Sequence, residues 1–313
     1  MNTPARLGAY VLGLAVVFGG AFGVGGAVGA TGPAPAKNDH GGHATPTQAA
    51  QKTEHVPGGL QVSQSGYTLT PQITTITPGT KTDFRFTVNG PDGRPVTAYE
   101  TQHDKKLHLI VVSRDATVFR HLHPELSGEG IWSVPLTLPD AGAYRIFADF
   151  APQGGEGLTL GADLYAPGDY APKALPAPSR TVTVDGYTVR LDGTLTPGTA
   201  SKLVAEISRD GKPVTDLQPY LGAYGHLVAL RVGDLAYLHV HPDGAPGDGV
   251  TPAGPGITFY AEVPSRGDYR LFLDFQHDGI VRTAAFTVRA EQPSGAVPTA
   301  TADHGSEHAH SGH

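Results

Sequence analysis

What most restricts the fold of this chain is that its central part is written twice. Gly66-Tyr67-Thr68 returns as Gly186-Tyr187-Thr188, and Thr77-Pro78-Gly79-Thr80 returns as Thr196-Pro197-Gly198-Thr199. Asp92-Gly93-Arg94-Pro95-Val96-Thr97 comes back as Asp210-Gly211-Lys212-Pro213-Val214-Thr215. The block Tyr144-Arg145-Ile146-Phe147-Ala148-Asp149-Phe150 is matched by Tyr269-Arg270-Leu271-Phe272-Leu273-Asp274-Phe275. A duplication in fixed order over this length implies two domains of one fold. Each copy holds about seven short apolar runs separated by Pro-Gly and Asp-Gly turns within roughly 110 residues, the pattern of an antiparallel immunoglobulin-like sandwich. No long helical period appears beyond the N-terminus. The expected class is therefore all-β: two tandem immunoglobulin-like antiparallel β-sandwich domains after an N-terminal hydrophobic helix.

Each copy also carries the same histidine pattern. His108 stands thirteen residues before His121, and His226 stands thirteen before His239. Both second histidines open a His-x-His-Pro, so His123 and His241 follow. An apolar run, a short polar turn, a second apolar run and a stopping Pro read as a β-hairpin. A turn centred on Arg114 and Asp115 sets Val112 opposite Thr117, Ile110 opposite Phe119 and His108 opposite His121. Side chains alternate along a strand, so His121 and His123 share a face. Three imidazoles then gather at one end of the hairpin, with opposed β-carbons about 5 Å apart. The same register sets His226 opposite His239, with His241 beside it.

Two readings of these histidines stand. They could pack structurally at a strand end, or they could be the ligands of a metal ion. Between the copies the flanking residues change (VVSRDATVFR against VALRVGDLAYL) while all three histidine positions persist. Cysteine is absent and the single methionine is Met1, so any ion must be held by imidazole and oxygen. Such ligands suit copper(II) or zinc(II), and copper(II) is favoured at equal geometry. Asp149 and Asp274 either form a surface ion pair with the Arg on the same strand face or serve the ion, as a fourth ligand or by orienting a ligating His. His277 and His103 have no histidine counterpart in the other copy and rank below.

The rest of the chain frames these domains. Residues 1–30 carry Arg6 and a long apolar, Gly-rich run, long enough to span a bilayer as a signal-anchor and compatible with a cleaved signal ending at Ala30. Residues 31–59 read as a flexible stalk containing His40, His43 and His55. The first sandwich is expected over 60–165, a Pro-rich linker over 166–180, the second sandwich over 181–290 and a disordered His-rich tail over 291–313. In that tail His304, His308, His310 and His313 form either a loose metal-capturing site or a solvated end. The domains are expected outside the cytoplasmic membrane, anchored or secreted.

Net charge is −7 without a basic cluster, which argues against nucleic acid as a partner. No nucleophile elbow, zinc-protease helix, phosphate loop or dinucleotide fingerprint occurs, and an enzyme is not expected. The His-x-His lacks the following Glu of cupins and the bridging His of copper–zinc superoxide dismutases.

The apolar strand led by His108, then His121-x-His123-Pro124-Glu125, then Gly142-x-Tyr144-Arg145-x-Phe147-x-Asp149-Phe150 resembles a group of secreted or membrane-anchored bacterial proteins. That group commonly accompanies copper and other heavy-metal efflux or resistance systems. The resemblance covers residues about 100 to 160 and is weaker at 220 to 290, where Pro-Asp replaces Pro-Glu. It implies a metal-handling envelope protein with a β-sandwich, a possible metal transporter as partner, and ligands at His108, His121, His123 and their repeat partners.

Overall fold

In the computed structural model, residues 56–238 and 240–291 are described. The hydrophobic N-terminal segment, most of the stalk, His239 and the His-rich tail lie outside them. Among the described residues every regular element is a strand, and no helix is long and apolar enough to cross a membrane.

The first repeat contains β1 (Ser63–Gln64), β2 (Tyr67–Pro71), β3 (Thr82–Asn89), β4 (Leu107–Ser113), β5 (Phe119–Leu122), β6 (Glu125–Leu126), β7 (Ile131–Leu136), β8 (Gly142–Phe150) and β9 (Leu158–Ala166). One sheet runs β1-β2-β3-β7-β6 and the other β5-β4-β8-β9. The second repeat contains β10 (Thr181–Val184), β11 (Tyr187–Asp192), β12 (Ala200–Arg209), β13 (Lys212–Pro213), β14 (Gly225–Arg231), β15 (Tyr237–Leu238), β16 (Val240–Pro242), β17 (Gly256–Glu262), β18 (Gly267–His277) and β19 (Ile280–Ala290). Its sheets run β10-β11-β12-β17-β16, with β13 on β12, and β15-β14-β18-β19. The two orders are the same.

All pairings between these strands are antiparallel, and consecutive hairpins are split between two sheets in the manner of an immunoglobulin-like sandwich. A tyrosine corner, a hallmark of such sandwiches, marks both repeats. Tyr144 donates its hydroxyl to the Asp140 carbonyl at 2.8 Å, and Tyr269 donates to the Ser265 carbonyl at 2.8 Å.

The period-two rule explains where each core sits. In β4, Leu107, Leu109 and Val111 enter the core of the first sandwich with Phe84, Phe86 and Trp132. Ile110 and Val112 point the other way, yet they are equally buried. With Phe119 and Phe147 they meet Val228, Leu230, Tyr237 and Phe272 of the second repeat in a third apolar cluster. The four-stranded sheets of the two repeats therefore pack on one another.

The contacts across this seam are reciprocal. Phe119 stacks on Phe272 with centroids 4.1 Å apart, and Tyr237, the counterpart of Phe119, packs on Phe147, the counterpart of Phe272, at 5.6 Å. Self-complementary patches meeting this way have the character of an isologous, two-fold interface. Arg270 adds a hydrogen bond from Nε to the Ala116 carbonyl of the first repeat at 3.1 Å.

Two expectations are corrected here. The stalk does not run loosely to residue 59: the Gly58 carbonyl accepts from Tyr237 N at 2.9 Å, and Gly59 N donates to the Thr159 carbonyl at 2.8 Å. Gly59 fits because it has no side chain; its φ is +74°, and a β-carbon there would lie 2.3 Å from the Phe147 ring. The hairpin register also differs. Ile110, the expected partner of Phe119, pairs instead with His121, and Val112 pairs with Phe119. The second hairpin shows the same shift, with Leu230 on Tyr237 and Ala229 on Leu238. The turns are one residue further along because Ala116 (φ +55°) and Leu235 (φ +58°) take the left-handed conformation, which neither residue type signals.

Candidate metal centre

A shift of one residue in the turn centre moves each cross-strand partner by two. It therefore keeps every side chain on its face. His108 and His121 remain together, now as diagonal rather than direct neighbours. His108 Nδ1 lies 3.0 Å from His121 Nε2, and the His123 ring centroid is 5.2 Å from that of His108 and 4.8 Å from that of His121. One ring nitrogen from each of the three falls within 4.8 Å of the others.

The remaining ring nitrogens have defined roles. His108 Nε2 lies 3.1 Å from the Gln102 carbonyl, which can only accept, so the proton sits on Nε2 and the lone pair on Nδ1. His121 Nδ1 lies 2.8 Å from Asp274 Oδ2 of the second repeat, and both side chains are almost wholly buried. That carboxylate can accept a hydrogen bond from Nδ1–H, an arrangement that turns Nε2 toward His108. His123 Nε2 is buried and has no hydrogen-bond partner. One ring nitrogen from each of the three histidines thus converges on the others.

The electrostatics favour neutral rings. Burial, reinforced by the neighbouring His121, lowers the His108 pKa to about 3. Burial followed by His121 and Lys105 lowers that of His123 to about 4. Neutral imidazole is the metal-binding form.

Further groups close the site. His226 of the second repeat is buried, bonds through Nε2 to the Tyr220 carbonyl at 2.8 Å, and is held neutral chiefly by burial, its pKa lowered to about 4. Its backbone bond copies that of His108 to Gln102. His103, which ranked low in the sequence, lies with its ring 5.3 Å from His226 and 6.2 Å from His108. A cavity of about 40 Å³ is lined by His103, His108, His121, His226 and Asp149. That volume suffices for a water molecule or an ion. Tyr220 lies beside His123, its ring 6.2 Å away, and burial, then the Asp274 charge, raises its hydroxyl pKa to about 12.

The second copy of the motif is placed differently. His226 is buried in the seam, whereas His241 is exposed and pairs with Tyr260 on β17, in the opposite sheet. There β16, which begins at Val240, pairs in the other sheet, so His241 lies on the opposite sheet from His226. His239 and the tail histidines His304, His308, His310 and His313 lie outside the described residues. Among the described residues, three-ligand spacing occurs in the first repeat.

The aspartates also depart from the surface-pair expectation. Arg145 pairs with Asp163 on β9 at 2.7 Å and bonds the Gly59 carbonyl, while Asp149 accepts from Thr159 at 2.9 Å and from Tyr237 at 3.4 Å. Asp274 accepts from Thr283 at 2.5 Å and faces His121. His277 lies away from this cluster, with Nδ1 on Tyr187 at 2.7 Å and Nε2 on Asp216 at 3.0 Å.

The model of a protein family described as Domain of unknown function (DUF8832) matches residues 61–164 and again 182–292. The chain belongs to this family. Its two DUF8832 domains coincide with the two sandwiches. No curated protein matches the chain significantly. Among solved structures it is similar to FdeC, an Escherichia coli adhesin, at 14% identity and a TM-score of 0.24, over 72% of this chain and 65% of that one. Salmonella alpha-2-macroglobulin gives 14% identity and a TM-score of 0.27, over 75% of this chain and 15% of that one. The Yersinia pseudotuberculosis adhesin InvE gives 14% and 0.21, over 73% and 60%. This DUF8832 chain thus spans less than two thirds of each of these. Its sandwich assignment rests on the strand order and tyrosine corners above.

Proposed function

We propose that this protein binds a divalent cation of the copper(II) or zinc(II) class at His108, His121 and His123, outside the cytoplasm. There it would buffer the metal or hand it to a transporter. The observation that supports this reading is the convergence of one ring nitrogen from each of three histidines, and His123 Nε2 is in addition buried without a hydrogen-bond partner. Tetrahedral bonds of about 2.05 Å put ligand nitrogens about 3.3 Å apart, and right-angled ones about 2.9 Å. The 3.0 Å between His108 Nδ1 and His121 Nε2 is compatible with both. With three protein ligands a fourth position stays open, as an exchange site requires. The N-terminal apolar segment would hold the domains at the membrane, and the His-rich tail would gather ions for them.

A second reading has an observation of its own. The series Gln102 carbonyl, His108, His121, Asp274 closes as a hydrogen-bonded chain without an ion if His121 carries two protons. The protein would then be a metal-free immunoglobulin-like interaction module of the cell envelope.

The test is calorimetric titration with zinc(II) and copper(II) of the full chain in which the stalk and tail histidines are replaced by Ala. Binding near one equivalent, lost in His108→Ala/His121→Ala, is the expected result. If the double variant binds as the parent does, or neither binds, the metal reading fails. A stability loss that metal does not alter would then support the interaction module.

A further inference from the structure

Resting on that metal reading, we propose that the site is bipartite: the first repeat supplies the ligands, and Asp274 of the second repeat is the positioning residue that makes His121 one of them. An imidazole can bond a metal through either nitrogen, and the partner of the other nitrogen decides which. The partner of His121 comes from β18, a strand more than 150 residues along the chain, at 2.8 Å. Asp274 is itself fixed, since Thr283 on β19 donates to its other oxygen at 2.5 Å. Cross-strand pairing with His226 places it against β14, whose apolar face forms the seam. The orientation of His121 therefore depends on the two sandwiches being docked.

The counterpart carboxylate shows that this is a property of one position rather than of the motif. Asp149, matched to Asp274 by the duplication, accepts from Thr159 as Asp274 does from Thr283, but its other oxygen receives the Tyr237 hydroxyl. The second repeat thus gives a carboxylate to the first repeat's histidines. By linkage, an ion held at His108, His121 and His123 holds the repeats together, and undocking weakens its binding by the same factor.

The experiment measures zinc(II) affinity in the full chain with stalk and tail histidines replaced, comparing the parent with Asp274→Ala, Asp274→Asn and Leu230→Ala. Loss of such a partner lowers metal affinity by about 10- to 100-fold, and that is expected for Asp274→Ala. Asp274→Asn keeps an oxygen that can accept the Nδ1 proton and should recover most of the loss. Leu230→Ala removes apolar packing from the same seam while the sandwiches stay docked and the bond is untouched, so its affinity should stay within about twofold of the parent's while its stability falls. Equal affinity in Asp274→Ala and the parent overturns the proposal, as does an equal loss in Leu230→Ala. If the parent itself binds no zinc(II), the metal reading falls and this inference with it.

Discussion

At the residue scale, the histidines of the seam carry a prediction about acid. His108, His123 and His226 have pKa values lowered to about 3, 4 and 4, chiefly by burial. In the unfolded chain a histidine titrates near 6.5. Between those values the unfolded state binds more protons than the folded one, so stability rises with pH across the window. The stabilising contribution of the neutral rings is complete above about 6.5 and is lost as pH falls toward 4. Each unit in that window amounts to at most about 1.4 kcal/mol per fully linked group. Urea unfolding of the metal-free protein at pH 7.5, 6 and 5 should give falling stability, and a flat profile would mean that these rings are not held neutral.

At the element scale, the hairpins show what was legible in the sequence and what was not. The spacing of His108, His121 and His123 identified their common face, because parity survives any even shift of partners. The register itself was hidden in Ala116 and Leu235, whose left-handed backbone is fixed by local bonds. Asp115 Oδ1 accepts from Thr117 N at 3.2 Å in one turn, and Asp234 Oδ1 accepts from Ala236 N at 3.1 Å in the other. The run of apolar residues in β4 identifies a hairpin strand, and in the structure both of its faces are covered. It did not show that the second cover is the other repeat. That required Phe119 and Phe272, which look like ordinary core residues until they are seen stacked. His241 left the group for a reason equally absent from the local sequence, the early crossing of β16 to the opposite sheet. The segment entering the first sandwich gives a second prediction. Gly59→Ala drives a β-carbon into Phe147 and forces a positive φ on a residue with a side chain. A stability loss of about 1–3 kcal/mol is expected, measured by denaturant unfolding; an unchanged midpoint would show that this segment does not hold its place.

At the scale of the whole molecule, duplication has produced something close to a dimer within one chain. The seam buries Ile110, Val112, Val228, Leu230 and Phe272 almost completely, as a core does. Phe272→Ala should therefore destabilise both repeats, by about 3–5 kcal/mol in total. Scanning calorimetry should show one transition for the parent and a broadened or divided one for this variant. Two well-separated transitions in the parent would mean that the sandwiches only touch.

The path of the entering chain gives the seam a mechanical meaning. Gly58 is bonded to Tyr237 of the second repeat, and its neighbour Gly59 is bonded to Thr159 and Arg145 of the first. A pull applied from the N-terminal side would reach both sandwiches at once, in parallel, instead of passing through one to reach the other. Tension would be felt first where Gly58 and Gly59 tie Tyr237 of one sandwich to Thr159 of the other.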